Sequence, residues 1–166
     1  MEKGEKLKMK KISVKRDIYN SEAINGILGQ MGNKQNGIKF IQTNIMIDDL
    51  HLFETLDDIP GSRKWNVRDL FQRNIDLRRV ENEIMPYFLG KQKKKFFNPL
   101  TIAVLPIEGG QIINGLKSEE SEEKIFIENI FKITYHDKDA RIVEFKWNTS
   151  KCKLVAIDGQ HRLRSL

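Results

Sequence analysis

Asp158, Gly159, Gln160, His161 and Arg162 follow one another near the end of the sequence, and their types suit phosphate chemistry. An apolar run, Leu154-Val155-Ala156-Ile157, leads into them, and Leu163-Arg164-Ser165-Leu166 can continue as a helix. A strand that turns at glycine into a helix presents first-turn amides that lack internal partners and sit at the positive end of the helix dipole. Gly159 lets the backbone approach a ligand closely. Arg162 can grip two oxygens at once, and His161 donates more strongly when protonated. Gln160 can donate or accept. Gly159, Gln160, His161 and Arg162 are therefore the candidate phosphate- and nucleotide-binding residues, and Asp158 and His161 the candidate catalytic ones. Asp158 has three readings: it holds a metal ion that bridges phosphates, orients His161, or caps the helix. The cap is the favoured one. The plainer alternative for the whole segment is an Asp-Gly turn that starts a helix, with the side chains satisfied locally.

The Asp158-Gly159-Gln160-His161-Arg162 segment resembles the signature of the DGQHR-domain family. That family includes the regulatory B component of bacterial DNA sulfur-modification (phosphorothioation) systems, and it is similar to ParB and sulfiredoxin. ParB proteins carry Gly-Glu-Arg-Arg at the matching turn, and sulfiredoxins Gly-Cys-His-Arg. The segment Phe96-Phe97-Asn98-Pro99-Leu100-Thr101-Ile102-Ala103-Val104-Leu105-Pro106 resembles the family's aromatic-proline entry into a core strand. Asp69-Leu70-Phe71-Gln72-Arg73-Asn74-Ile75-Asp76 is a less specific likeness. The resemblance runs from about Phe40 to the end. It implies a ParB/sulfiredoxin-like mixed sheet with packed helices. It also implies that the chain is incomplete at its C-terminus, because in that fold the helix after the turn packs on the sheet and continues.

Departures from the relatives narrow the chemistry. Sulfiredoxin chemistry needs a thiolate where this chain has Gln160, and Cys152 lies too far upstream to replace it, so reductase activity is not expected. ParB hydrolysis is tied to the acidic residue of its motif, and Gln160 is its neutral isostere. Glutamine can still orient a water. Nucleotide binding is thus more credible than efficient hydrolysis, and the cofactor to expect is a nucleoside triphosphate with Mg2+.

The balance of charge points the same way. The 166 residues carry 29 Lys and Arg against 23 Asp and Glu, a net charge of +6 that favours polyanionic partners. Lys3, Lys6, Lys8, Lys10 and Lys11 crowd the start, where they either track a DNA backbone or keep a tail soluble. Lys91, Lys93, Lys94 and Lys95 precede Phe96 and Phe97, so lysines can meet phosphates while bases stack on the rings. The same stretch also reads as a solvated loop leading into two core phenylalanines. Arg164 is a further candidate nucleic-acid contact, or else solvent-exposed. His51 and His136 stand alone with no metal-ligand spacing and read as structural or exposed, and Trp65 and Trp147 as anchors. The single Cys152 excludes an internal disulfide and a Cys-based zinc site. No resident metal site is expected.

No apolar stretch approaches the ~20 residues needed to span a bilayer. The Lys-rich start lacks the apolar run of a secretory signal. A cytoplasmic protein with no membrane partner is expected.

Periodicity predicts an α/β (α+β) domain. Residues 1–37 read as a basic, loosely ordered arm in which Ile24, Ile27 and Leu28 form at most a helical turn, and residues 38–166 as the N-terminal portion of a DGQHR-type domain. Phe40 to Ile47 reads as a strand. Asp48 or Asp49 is placed to cap a short helix carrying Leu50, Leu52, Phe53 and Leu56. Asn66 is placed to cap a long helical stretch to Leu89, broken near Asp76 and again at Pro86, with Gly90 as its C-terminal cap. Leu100 to Ile107 reads as a strand buried on both faces. Phe126 to Tyr135 and Ile142 to Trp147 form a hairpin, and Lys153 to Ile157 is the last strand.

The function these readings favour is a regulatory DNA- or nucleotide-binding protein of a bacterial DNA-modification or phage-defence system. The alternatives are a nucleotide hydrolase or DNA nickase using the same turn, and a non-catalytic assembly protein. A homo-oligomer, or a missing C-terminal portion, completes the expected partners beside DNA and nucleotide.

Overall fold

Alternating apolar and polar residues in the C-terminal half supply most of the ladder. The computed structural model describes residues 18–33, 37–59, 61–62, 76–90 and 98–166. In chain order the strands are β1 (Ile24–Met31), β2 (Ile38–Gln42), β3 (Phe53–Glu54), β4 (Thr101–Glu108), β5 (Gln111–Ile112), β6 (Glu119–Glu120), β7 (Lys124–Ile127), β8 (Phe131–Asp137), β9 (Ile142–Trp147) and β10 (Cys152–Asp158). Helix α1 (Leu77–Arg79) passes through a π turn, Val80–Ile84, into α2 (Met85–Leu89), and α3 (Gln160–Arg164) follows β10. The protein is α+β and mostly β. No helix among the described residues is long and apolar enough to cross a membrane.

The strands form two sheets. One has six strands in the order β2-β1-β9-β8-β7-β6, all neighbours antiparallel. The other has the order β3-β10-β4-β5, in which β3 runs parallel to β10 and the remaining pairs are antiparallel. Side chains alternate across a strand, so β9 sends Val143, Phe145 and Trp147 to the same side. They pack with Ile24, Leu28, Ile125, Ile130 and Ile133, and with Cys152 and Leu154 from β10. The Phe145 and Trp147 rings stack with centroids 5.3 Å apart. The opposite face of β10 is also covered: Val155 packs with Leu56 and Ile59, flanked by Leu105, Ile107 and Ile112. Strand β10 thus lies between two apolar clusters, with Val155 and Ala156 fully buried.

The larger sheet curls. Its edge strands β2 and β6 do not pair through the backbone, yet Lys39 of β2 forms an ion pair with Glu120 of β6. Charged residues on both edges also discourage pairing with another chain.

Several elements differ from the sequence-based expectation. Residues 24–31 form a strand between β2 and β9, not a helical turn. Glycines obscure it: Gly29 lies beneath the ring of its cross-strand partner Phe40, where a Cβ would collide. Residues 20 and 21 are tied down as well, through Asn20 to Thr149 and Ser21 to Trp147. The expected helix around Leu50–Leu56 is a 3-10 turn, Ile47–Leu52, then β3, then a second 3-10 turn, Leu56–Asp58. Pairing of Phe53 and Glu54 with Leu154 and Val155 overrides helix propensity there. Met46, not Asp48 or Asp49, is the N-cap of the first turn. β2 ends at Gln42, short of Ile47. β4 is only half-buried and Val104 is 38% exposed, because β10 takes the position covered on both sides.

Other expectations hold. Asp76 starts a helix as its N-cap, its side chain accepting from the Arg78 and Arg79 amides, and the stretch before it lies outside the described residues. Pro86 sits in the first turn of α2, where its missing N–H is tolerated. Gly90 does cap α2, in an extended rather than left-handed conformation. The β8–β9 hairpin is present and Trp147 is a core residue, but the single strand expected over Phe126 to Tyr135 is two, β7 and β8, divided by a turn in which Asn129 has φ 61° and the Ile130 amide donates to the Ile127 carbonyl. Asn66, Trp65, the Asp69–Ile75 segment and the lysines at 3–11 lie outside the described residues.

Because Leu154 (3% exposed) joins the two sheets, Leu154→Ala should destabilise the protein by about 2–5 kcal/mol. Urea denaturation should show a lower midpoint at unchanged slope.

Candidate functional site at the Asp158–Arg162 turn

β10, Gly159 and α3 form the strand-turn-helix that the sequence implies. Gly159 occupies the N-cap position with φ 86° and ψ 18°, the left-handed region that favours glycine. A Cβ here would collide with Leu100 Cδ2 and lie 2.8 Å from Arg162 Nη2. The arginine therefore lies directly over the glycine turn, in space that only the missing side chain leaves open.

Each polar side chain of the segment reaches a different part of the chain. Arg162 donates from Nη1 to the Asn98 carbonyl at 2.8 Å, and its Nη2 lies 3.4 Å from Asp158 Oδ2. His161 Nε2 accepts from the Asp76 amide at 2.9 Å, which requires that nitrogen to be unprotonated. The same Asp76 caps α1, so the histidine fixes the approach of that helix. Arg164 binds both carboxylate oxygens of Asp58, at 2.9 and 3.1 Å. Gln160 is buried, and its Oε1 has no hydrogen-bond partner.

Two expected roles change. Asp158 does not cap α3: Gly159 holds that position, no side chain caps it, and the Asp158 carboxylate turns back to Arg162. Nor does Asp158 orient His161, which instead accepts from the Asp76 amide. The Asp158–Arg162 separation is long for a charge-assisted bond, and the Asp158 side chain is 75% exposed, so the pair is weak and replaceable.

A divalent cation does not fit as a resident of this turn. Its one carboxylate faces an arginine, and no group of three or more His, Cys, Asp or Glu side chains converges among the described residues. Cys152 is buried at the start of β10, and burial pushes its thiol up to about 12, against the pull of Lys153. It is a core residue and no ready nucleophile. His51 donates from Nδ1 to the Asp48 carbonyl at 2.8 Å, and His136 is exposed on β8. Lys91, Lys93, Lys94 and Lys95, with Phe96 and Phe97, lie outside the described residues.

The residue that sequence reasoning missed is Asp58. Burial raises its carboxyl, but hydrogen bonds from the Thr55 hydroxyl and amide and the nearby Arg164 charge outweigh this, and the net shift is downward. Thr55 and Asp58 form a capping box around the second 3-10 turn, and a Thr-x-x-Asp spacing was its only local signal.

No family model, no curated protein and no solved structure matches this chain. The class is set by the fold itself: an α+β protein whose glycine turn is braced by three separate segments.

Gly159→Ala should cost about 1–2 kcal/mol from the left-handed backbone alone, and more because Leu100 and Arg162 must shift. Chemical denaturation would measure it. Asp58, held below its unfolded value, stabilises the fold above that value and loses this contribution as pH falls through the folded one. Asp58→Asn should therefore lower Tm at pH 7, with the deficit shrinking as pH falls below about 4 and gone only below the depressed folded value. A deficit independent of pH would contradict the assignment.

Proposed function

We propose that this chain is a DNA- or nucleotide-binding protein that takes phosphate at the Asp158–Arg162 turn, in a regulatory role within a bacterial DNA-modification or phage-defence system. The observation that carries this reading is the position of Arg162. Its guanidinium is held over Gly159 by the Asn98 carbonyl, and the Asp158 carboxylate beside it is exposed and 3.4 Å away. A phosphate would displace Asp158 and meet an arginine already in place, which lowers the ordering cost of binding. The net charge of +6 and the DGQHR-like segment support the same reading. A cytoplasmic location accords with such partners.

Binding is favoured over hydrolysis or nicking. His161 Nε2 is occupied by the Asp76 amide, and Asp158 faces Arg162, so neither stands as a free general base in this conformation. A nucleotide would bring its own Mg2+.

A second reading has its own support. His161, Arg162 and Arg164 brace Asp76, Asn98 and Asp58, which are far apart in sequence. On that reading the turn is a structural clamp of an assembly protein.

Anisotropy titrations with labelled duplex DNA and labelled nucleoside triphosphate separate the two. Arg162→Ala should lose at least about 10-fold in affinity, the worth of one charge-assisted contact, and Arg162→Lys should retain part of it. Binding should also weaken steeply with salt. A loss of thermal stability with affinity unchanged would favour the clamp.

A further inference from the structure

The curled sheet has a second cationic feature, remote in sequence from the turn. Where β2 and β6 approach without pairing, a cavity of about 220 Å3 opens, lined by Gln30, Lys39, Glu120, Tyr135, Lys138 and Arg141 among others. Three cations face one carboxylate there, so the cavity is positive.

The cations differ in their commitments. Lys39 is held by Glu120. Among the described residues, the side chains of Lys138 and Arg141 make no hydrogen bond or ion pair. Both come from the β8–β9 connection, and the backbone sets them together: the Arg141 amide donates to the Lys138 carbonyl at 3.3 Å. The Arg141 carbonyl in turn accepts from the Leu28 amide at 2.9 Å, fixing the connection against β1. Arg141 itself has φ 56°, a left-handed conformation unusual for a residue with a side chain. A glycine or asparagine would suit that position better on backbone grounds alone.

From the cavity and its unpaired cations we infer a second binding site, for a small dianion of the phosphate class, gripped by Arg141 and Lys138 with Lys39 at its rim. A phosphoryl group fits the charge, and a guanidinium meets its oxygens in pairs. Tyr135 would donate its hydroxyl. Burial raises its ionisation and Glu120 adds to this, against the pull of Lys39 and Arg141, so the phenol stays a donor at neutral pH. Gln30 Nε2 already donates one hydrogen to the Asn33 carbonyl, which fixes its side chain as part of the wall. The cavity takes the phosphoryl group, and because it is open to solvent an attached organic group can extend outward.

The test is isothermal titration of the full chain, at constant ionic strength, with inorganic phosphate and separately with a nucleoside 5′-monophosphate. The variants are Arg141→Gly, Lys138→Ala and Arg162→Ala. Arg141→Gly suits the left-handed backbone, so it removes the guanidinium while keeping the fold. It should weaken phosphate binding about 10–100-fold, as the loss of a charge-assisted contact does, with no fall in Tm. Lys138→Ala, at an exposed turn, should weaken binding in the same direction. Equal affinity for the two ligands identifies the free anion. Tighter nucleotide binding, still lost in Arg141→Gly, identifies a phosphate monoester. The proposal is overturned if the parent shows no saturable binding, or if Arg141→Gly and Lys138→Ala both bind like the parent. It is also overturned if Arg162→Ala alone abolishes binding, an outcome that would leave the turn as the phosphate site.

Discussion

The fold depends on one strand being covered on both sides. β10 carries Leu154 into the core beneath the six-stranded sheet and Val155 into the cluster of Leu56 and Ile59. Both neighbours of β10 in its own sheet, β3 and β4, take their positions from it. Burying a strand this way removes apolar surface from water twice over, at about 25 cal/mol per Å2. It also leaves no latitude in register, since a one-residue slip would exchange the two faces. The Asp158–Arg162 turn inherits this rigidity. It begins where the strand's ladder ends, at a bulge between Ala156 and Asp158 opposite Thr101.

That anchoring explains how a five-residue helix holds its place. Isolated helices so short are not stable in water. α3 persists because its side chains are tied outward: His161 to Asp76, Arg162 to Asn98, Arg164 to Asp58. A phosphate at Arg162 and a structural clamp are therefore not exclusive demands on the same residue. The clamp sets the guanidinium over Gly159, and the exposed Asp158 is the partner most easily exchanged.

Local pattern revealed a good part of this. The apolar run at 154–157 ending in Asp-Gly, and the alternation on β8 and β9, are short-range signals, and the strands and the glycine turn follow them. The helix start at Asp76 was legible because aspartate caps by a contact two and three residues away. What was not legible is pairwise and distant. The bonds from Arg162, His161 and Arg164 span 64, 85 and 106 residues, and no local composition encodes them. β1 was hidden because Gly26 and Gly29 dilute its apolar period, although the glycines are what admit the side chains of β2. β3 was hidden because two residues suffice when the partner strand is already in place.

The meeting of β2 and β6 has a consequence for how the larger sheet can move. A barrel sealed by a backbone ladder opens only by breaking a row of hydrogen bonds together. Here the seam is bridged by Lys39 and Glu120, both partly exposed. Such a bridge is worth about 0–1 kcal/mol and weakens with ionic strength. The two edges of the sheet are therefore joined by a contact that salt weakens, whereas the strands between them are joined by backbone ladders that salt leaves in place.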